Sequence, residues 1–298
     1  MTVDTAPVAT TQQETSHEAS RRVRVIRRLR RNPLAVISFS VLVLALFVAV
    51  LAPWLAPYAP EQTDFASTFS PPGTAGHLLG SDDLGRDVLS RIILGSRASL
   101  EVGLLAVATA MLIGVPLGLA SGYVQSCDAV ISRFTDLLLA FPFLILAVGL
   151  AAIRGASLGN AAVAIGIAQI PGIIRVVRSD TLRLKSLDFV AAAVVDGAGD
   201  LWVLTRHILP NATSVILVQA TVAIPSAILG EAVLSFLGLG IQPPAPSLGT
   251  MLATAQQFAA RAPWAAVLPG VTIMVLALAF NVFGDSLRDA LDPKGSRE

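Results

Sequence analysis

The 298-residue chain is 54% hydrophobic and only 14% charged, with a formal net charge of +1. A soluble domain of this composition could not cover its surface with polar groups, so the sequence predicts an integral membrane protein. One cysteine and three widely separated histidines exclude a disulfide framework and a metal site with ligand spacing, and the charge gives no reason to expect a nucleic-acid partner.

The first part of the chain predicts a tail followed by a membrane anchor. Residues 1–20 lack apolar periodicity, which predicts a disordered segment. Seven arginines follow between Arg21 and Arg31, and residues 34–56 then carry no charge. At 1.5 Å per residue this apolar run reaches about 35 Å, enough to cross the hydrocarbon core. Because it is too long for a signal-peptide core and lacks a cleavage site, we expect an uncleaved anchor.

Five later apolar segments predict further membrane-spanning helices. They are residues 102–120, 137–153, 158–174, 213–237 and 262–283. With the N-terminus in the cytoplasm, sixteen of the 21 Lys and Arg residues lie in predicted cytoplasmic segments. The positive-inside rule therefore favours an all-α protein with six transmembrane helices and both termini in the cytoplasm.

The helix pattern divides the chain into four predicted regions. They are a disordered and basic cytoplasmic tail (1–31), an anchor with an outer loop (32–98), a membrane core (99–287) and a second cytoplasmic tail (288–298). Two polar segments, residues 57–98 and 238–261, form long extracytoplasmic loops in this topology. We expect both to fold over the outer end of the helix bundle.

Catalytic residues are not predicted anywhere in the chain. Neither Lys185 nor Lys294 stands in a Gly-x-x-x-x-Gly-Lys-Ser/Thr motif, so a P-loop is absent from the sequence. No histidine and acids converge for hydrolysis, and we predict neither a metal nor a cofactor on this chain. Glu231, near the end of the fifth predicted span, is expected to be a solvated or capped helix-end acid. The residues that could line a pathway, or equally form packing hydrogen bonds, are Gln219, Glu231, Gln256, Gln257 and Asn281.

A polar stretch between the fourth and fifth predicted spans indicates a folded element at the cytoplasmic membrane face. Residues 187–196 favour a helix, and Gly197 and Gly199 interrupt it. Asp200 is placed to cap a second short helix, which Pro210 is expected to end. A short helix with small exposed side chains fits the groove of a partner protein.

The same stretch resembles the signature loop of bacterial ATP-binding-cassette importer permeases, in which Glu-Ala-Ala, three residues, Gly and a later Leu-Pro recur. Ala191 stands at the position of the signature glutamate, and Asp196 stands where the family usually has an apolar residue. The resemblance implies a coupling helix that docks into a cleft of a separate ATPase subunit. The coupling residues it selects are Ala191, Ala192, Ala193, Asp196, Gly197, Asp200, Arg206, Leu209 and Pro210.

Other stretches are similar to the dipeptide/oligopeptide/nickel permeases of the DppC/OppC type, and the similarity covers residues 27–293. They include "HLLGSDDLGRDVLSRIILGSRASL" and "ILGEAVLSFLGLGIQPPAPSLGTML". The resemblance implies a type-1 ABC importer permease fold in the bacterial cytoplasmic membrane, with import of short peptides, nickel or a related small solute by alternating access.

The same resemblance implies the partners and leaves rival functions to be tested. The partners are a second homologous permease, two ABC ATPases that hold ATP and Mg²⁺, an extracytoplasmic solute-binding protein and membrane lipid. An ion-coupled secondary transporter and a non-transporting scaffold or sensor are the alternatives from other functional classes.

Overall fold

The computed structural model describes residues 25–291, in which every regular element is helical. The predicted tail residues 1–24 and 292–298 lie outside the described residues, whereas residues 25–31, which end the predicted N-terminal tail, are helical. The main helices are α1 (Pro33–Leu55), α2 (Val88–Tyr123), α3 (Gln125–Leu139), α4 (Phe143–Arg154), α5 (Leu158–Lys185), α6 (Asp188–Val195), α7 (Asp200–Val203), α8 (Leu209–Phe236), α9 (Leu248–Gln256) and α10 (Pro263–Leu291).

Five helical segments are long and apolar enough to cross a membrane: α1, α2, α5, α10 and the combined segment Asp200–Phe236. The predicted span over residues 137–153 is not one continuous helix, because α3 and α4 meet within it at an angle of 92°. Pro142 directly precedes α4 in an extended conformation, and a proline disfavours helical geometry in the residue before it. Counted as one bent span, α3 and α4 bring the number to the predicted six.

The second spanning helix is longer than its apolar segment predicts. It begins at Val88, where the Asp87 side chain accepts a hydrogen bond from the Ser90 N–H at 2.8 Å and caps the helix. Glu101, which directly precedes the predicted span 102–120, therefore lies well inside α2 and is exposed. Hydrophobicity alone locates a span but does not reveal the polar turns that extend it.

The closest helix pair is α2 and α5, which approach along a stripe of glycines. A Cβ atom added to Gly118 would lie 2.7 Å from the Cβ of Val177, and one added to Gly122 would lie 2.5 Å from the Cβ of Thr181. Small residues at a helix interface let two backbones approach closely, which gains van der Waals contact in a membrane. Helices α8 and α10 complete the core, and α1 packs against α2 and α10.

The two predicted outer loops contact each other at one end of the bundle. The ring of Phe69 in the first loop lies 5.2 Å from that of Phe258 in the second, and the indole N–H of Trp264, at the start of α10, donates to the Ser81 carbonyl oxygen of the first loop at 3.2 Å. Within the first loop, Nδ1 of His77 lies 3.0 Å from a carboxylate oxygen of Asp87. The loops are thus packed against the bundle rather than extended away from it.

Candidate functional site

Residues 187–210, the coupling element, form two short helices joined by a tight turn. Helix α6 ends in a Schellman motif, in which the Ala198 N–H donates to the Ala193 carbonyl and the Gly197 N–H donates to the Val194 carbonyl, both at 3.0 Å. Gly197 has a φ of 85°, a left-handed conformation that favours glycine. The predicted helix break therefore exists, and the backbone fixes it.

The buried face of the coupling element packs onto the ends of α2, α5 and α8. Val190, Val203 and Ile208 are nearly or fully buried, and they form an apolar cluster with Tyr123 and Leu184. Burial of this face anchors the element on the bundle through the hydrophobic effect. A displacement of the element therefore acts directly on these helices.

The opposite face of the coupling element exposes large apolar side chains. Val195 is 86% exposed and Leu201 is 74% exposed, while Val194 and Trp202 are each 51% exposed. Clustered apolar surface of this kind, at the tip of a short helical pair, marks an interaction site. The edge of the Trp202 ring packs on His207 at a centroid distance of 4.7 Å, which orients the tryptophan.

The second helix of the coupling element continues into α8, which corrects one prediction. Pro210 was expected to end a helix, yet the chain stays helical from Asp200 to Phe236 over 37 residues. Residues Leu204–Ile208 form a π-helical turn, and the Leu209 N–H donates to the Leu204 carbonyl. The wider turn ends just before the proline, which lacks an N–H of its own. The second helix of the coupling element and α8 therefore form one continuous helical segment, called here the helical rod.

Four hydrogen bonds fix the helices that surround the coupling element. The Arg178 guanidinium on α5 donates to both carboxylate oxygens of Asp128 on α3, at 2.5 and 2.7 Å. The hydroxyl of Ser121, on α2, donates to the same carboxylate at 2.7 Å. Lys185 Nζ donates to the Tyr123 carbonyl at 2.7 Å. These contacts join α2, α3 and α5 at the end of the bundle that carries the coupling element, called here the coupling end.

The structure places the predicted coupling residues as follows. Ala191, Ala192, Asp196, Arg206 and Pro210 are exposed, whereas Ala193 is buried and Leu209 is half-buried. The position of the signature glutamate is exposed but is occupied by Ala191, so no acidic side chain faces outward there.

The capping residues of the coupling element differ from the prediction. Asp200 does not cap α7, because Gly199 occupies the N-cap position and Asp200 is the first helical residue. A carboxylate in the first turn still interacts favourably with the helix dipole.

The predicted pathway residues do not form one group. Gln219 is half-buried in the half of α8 nearer the coupling end, and Asn281 is exposed in α10. Gln256 and Gln257 are exposed at the end of α9, which lies at the far end of the bundle together with the two loops. The residues thus separate into two levels along the bundle.

Glu231 differs most from its prediction. It was expected to be a solvated or capped acid at a helix end, but it has no exposed surface. Its carboxyl oxygens accept hydrogen bonds from the hydroxyls of Ser99 at 2.6 Å and Ser235 at 2.7 Å. The i,i+4 spacing of Glu231 and Ser235 is a signal that sequence reasoning could have used, but the contact with Ser99 on α2 requires the fold.

Comparison with known proteins gives two family matches. Residues 114–297 match the family described as "Binding-protein-dependent transport system inner membrane component". Residues 20–72 match the family described as "N-terminal TM domain of oligopeptide transport permease C". The first match contains the coupling element, and the second contains α1.

Similar proteins cover most of the chain. The dipeptide transport system permease protein DppC of Escherichia coli is 45% identical over 271 residues, which are 89% of this chain and 90% of that protein. The DppC of Alkalihalophilus pseudofirmus is 42% identical over 269 residues, 90% of this chain and 88% of that protein. The glutathione transport system permease protein GsiD of Pectobacterium atrosepticum is 42% identical over 269 residues, 90% of this chain and 89% of that protein.

A solved structure shares the fold. An inward-facing form of the MetNI methionine ABC transporter aligns with a TM-score of 0.54 at 18% identity, covering 66% of this chain and 96% of the matched chain. At that identity the likeness concerns the fold alone.

Proposed function

Because this chain belongs to the family of binding-protein-dependent transport system inner membrane components, we propose that it is the permease subunit of an ATP-driven importer of short peptides. It is an inner-membrane protein with several spanning helices. In this proposal it has no enzymatic activity of its own. ATP and Mg²⁺ bind to separate ATPase subunits, and the permease converts their movement into transport.

The exposed apolar face of the coupling element is the observation that carries this proposal. Val195, Leu201 and Trp202 project from a pair of short helices whose other face is buried on the bundle. Short helices with apolar residues on one face commonly dock into a groove of a partner. Since the sequence contains no P-loop, a partner that hydrolyses ATP supplies the energy, and this face is where we place it.

The names of the relatives support the choice of solute. Two of the relatives are named for dipeptides and one for glutathione, which is itself a small peptide. A shared solute class therefore extends across proteins that are 42% to 45% identical to this chain. We assign short peptides, delivered by an extracytoplasmic binding protein, to this permease and to a second homologous permease that completes the pathway.

Alternating access follows from the geometry of the helical rod. ATP-driven closure of the ATPase dimer displaces the coupling element, which is continuous with α8. Because the helix continues from Asp200 to Phe236 without a break, a displacement at one end is passed along it to the far end of the bundle. The pathway then opens to one side of the membrane at a time, as required for pumping.

A pair of substitutions at one exposed position tests the docking surface. Val195 is 86% exposed, so Val195→Asp leaves the fold intact but places an unpaired charge in the proposed contact. Val195→Ile keeps the contact apolar and serves as the matched control. We expect solute-stimulated ATP hydrolysis by the complete complex to be lost in Val195→Asp and retained in Val195→Ile, with equal membrane insertion. Equal stimulation in both variants would show that the ATPase docks elsewhere.

Gly197 provides a second test that does not alter surface charge. A side chain at Gly197 meets no neighbour within 4 Å, but the φ of 85° strains any other residue. Gly199 also has open space and has an ordinary φ of −69°. Gly197→Ala should therefore weaken coupling, whereas Gly199→Ala should not. The ratio of solute-stimulated to basal ATP hydrolysis measures this difference.

A further inference from the structure

Glu231 lies at the meeting point of three structural elements at the far end of the bundle. It is 22 residues beyond Leu209, or about 33 Å along α8 from the coupling end. Ser99, which donates to one of its carboxyl oxygens, belongs to α2, and Ser235, which donates to the other, belongs to α8 itself. Ser247, at the N-cap of α9, packs against α2 one turn before Ser99, where a Cβ atom added to Gly95 would nearly touch its backbone. We call Glu231 with Ser99 and Ser235 the Glu231 latch.

The chain beyond α8 is tied to the latch through Ser235. The backbone N–H of Ile241 donates to the Ser235 hydroxyl oxygen at 3.2 Å, while that hydroxyl donates to Glu231. The Ser235 hydroxyl therefore accepts a hydrogen bond from the segment that follows α8 and donates one to the carboxyl group of Glu231. Movement of residues 237–246 and movement of Glu231 are thereby linked.

Helix α9 is wedged between α2 and α8 beside the latch. A Cβ atom added to Gly249 would lie 2.4 Å from the Ala232 carbonyl oxygen on α8, and one added to Gly95 of α2 would lie 3.2 Å from the Ser247 carbonyl carbon. Ala232 follows Glu231 in sequence, and Gly95 lies one turn before Ser99. The N-terminal part of α9 is fully or almost fully buried at this point, so it fills the space between α2 and α8 at the far end of the bundle.

We propose that Glu231 is the positioning residue of an outer gate, whose moving element is α9. In the latched state the Glu231–Ser99 hydrogen bond holds α8 and α2 together on either side of α9, and the far end of the pathway is closed. Displacement of the coupling element is passed along α8, with which it is continuous, carries Glu231 away from Ser99 and frees α9. This inference rests on the proposed function, because only a transporter needs a gate that opens and closes in each cycle.

The alternative role of Glu231 is that of a static packing group, which would not respond to nucleotide. A buried, doubly hydrogen-bonded carboxyl group stabilises a bundle in either case. What distinguishes a gate is that the exposure of α9 changes when the ATPases bind ATP. The test therefore measures the accessibility of α9 in the assembled complex rather than its stability.

The experiment uses a single reporter cysteine on α9. Cys127 is the only cysteine of the chain and is replaced by serine, and Met251, which is 6% exposed, is replaced by cysteine. The complete complex is reconstituted in proteoliposomes and treated from the outer side with a membrane-impermeant maleimide. Labelling rates are compared without nucleotide and after trapping with ATP and vanadate.

Glu231→Leu removes the latch, and Glu231→Gln is the conservative control. The glutamine oxygen can accept from Ser235, and its amide can donate to Ser99, whose hydroxyl then turns to act as an acceptor. In the reporter background and in Glu231→Gln we expect slow labelling that rises with vanadate trapping. In Glu231→Leu labelling should be faster by about tenfold or more without nucleotide, because the buried hydroxyls lose their hydrogen-bond partner, and should no longer respond to trapping.

A second variant, Gly249→Ala, is designed to displace α9 while Glu231 itself is unchanged. The added methyl group cannot occupy its place beside Ala232, so α9 is displaced while the latch residues remain. We expect fast labelling that is insensitive to nucleotide, as in Glu231→Leu. If Glu231→Leu fails to assemble with its partners, the reporter background and Glu231→Gln still decide the question, because a gate requires labelling that rises with vanadate trapping in both.

Three results would overturn the proposal. The first is labelling in the reporter background that does not respond to nucleotide, and the second is equal labelling in all variants. The third is labelling in Glu231→Gln that no longer responds to vanadate trapping. Solute uptake by the reporter complex is measured in parallel. Absence of ATP-dependent uptake there would contradict the proposed function, whereas uptake with unchanged labelling would contradict only the gate.

Discussion

Close packing between α2 and α5 predicts a specific cost for adding one methyl group. In Gly118→Ala the new Cβ would lie 2.7 Å from the Cβ of Val177 and 3.0 Å from the Ile174 carbonyl oxygen. Two carbon atoms normally rest about 3.5 to 4.0 Å apart, so the helices must separate or distort. Overpacking of this kind costs about 1 to 3 kcal/mol.

Gly172 on α5 provides the matched control. A Cβ added there meets nothing within 4 Å, so Gly172→Ala changes only the intrinsic helix propensity, a gain of about 0.5 to 1 kcal/mol. The same propensity gain applies at Gly118, so the difference between the two variants isolates the packing cost. We expect Gly118→Ala to be less stable than Gly172→Ala by about 1 to 3 kcal/mol.

The assay is thermal unfolding of the purified complex in detergent, followed by the loss of monodisperse protein. A difference of this size should appear as a lower midpoint for Gly118→Ala under identical conditions. If Gly118→Ala were as stable as Gly172→Ala, the close approach of α2 and α5 would be wrong. That result would also mean that α2 and α5 do not form a tightly packed support beneath the coupling element.

Two further substitutions test the coupling end. Arg178→Lys replaces a two-bond contact with Asp128 by a single ammonium group, and because both side chains are about a third exposed we expect a loss of about 0.5 to 1 kcal/mol in thermal stability. The ion pair of Arg175 with Asp136 is mostly exposed, so Arg175→Lys should leave the midpoint of thermal unfolding unchanged. An equal loss of stability in both variants would show that the Arg178–Asp128 contact is no more stabilising than the exposed pair. Trp202→Ala should reduce solute-stimulated ATP hydrolysis with little change in stability, since the side chain is 51% exposed on the docking face. Trp54→Ala, on the exposed surface of α1, should preserve that stimulation, and the docking face would be misplaced if the two variants behaved alike.

Much of the architecture was predictable because it depends on local sequence. A long uncharged run can only be a spanning helix in lipid, where every backbone polar group must be paired internally. The helix break at Gly197 was also predictable from local sequence, since a Schellman motif involves only residues that are close together in the chain. The coupling element is therefore the part of the candidate site that sequence reasoning located.

Errors arose where a distant contact or an unusual turn decides the structure. Glu231 is buried because Ser99 meets it from 132 residues away, and no local pattern reveals that pairing. Pro210 does not end a helix because a π-helical turn precedes it, a geometry with no clear sequence signature. The bend between α3 and α4 shows that an apolar segment predicts membrane burial but not straightness.

The central claim is that this chain transports solute only when partner ATPases drive it. The most direct measurement is uptake of a radiolabelled dipeptide into proteoliposomes, comparing the complete complex with the two permeases alone. We predict ATP-dependent uptake by the complete complex with its binding protein, and none by the permeases under an imposed proton or sodium gradient. Gradient-driven uptake without the ATPases would contradict the account.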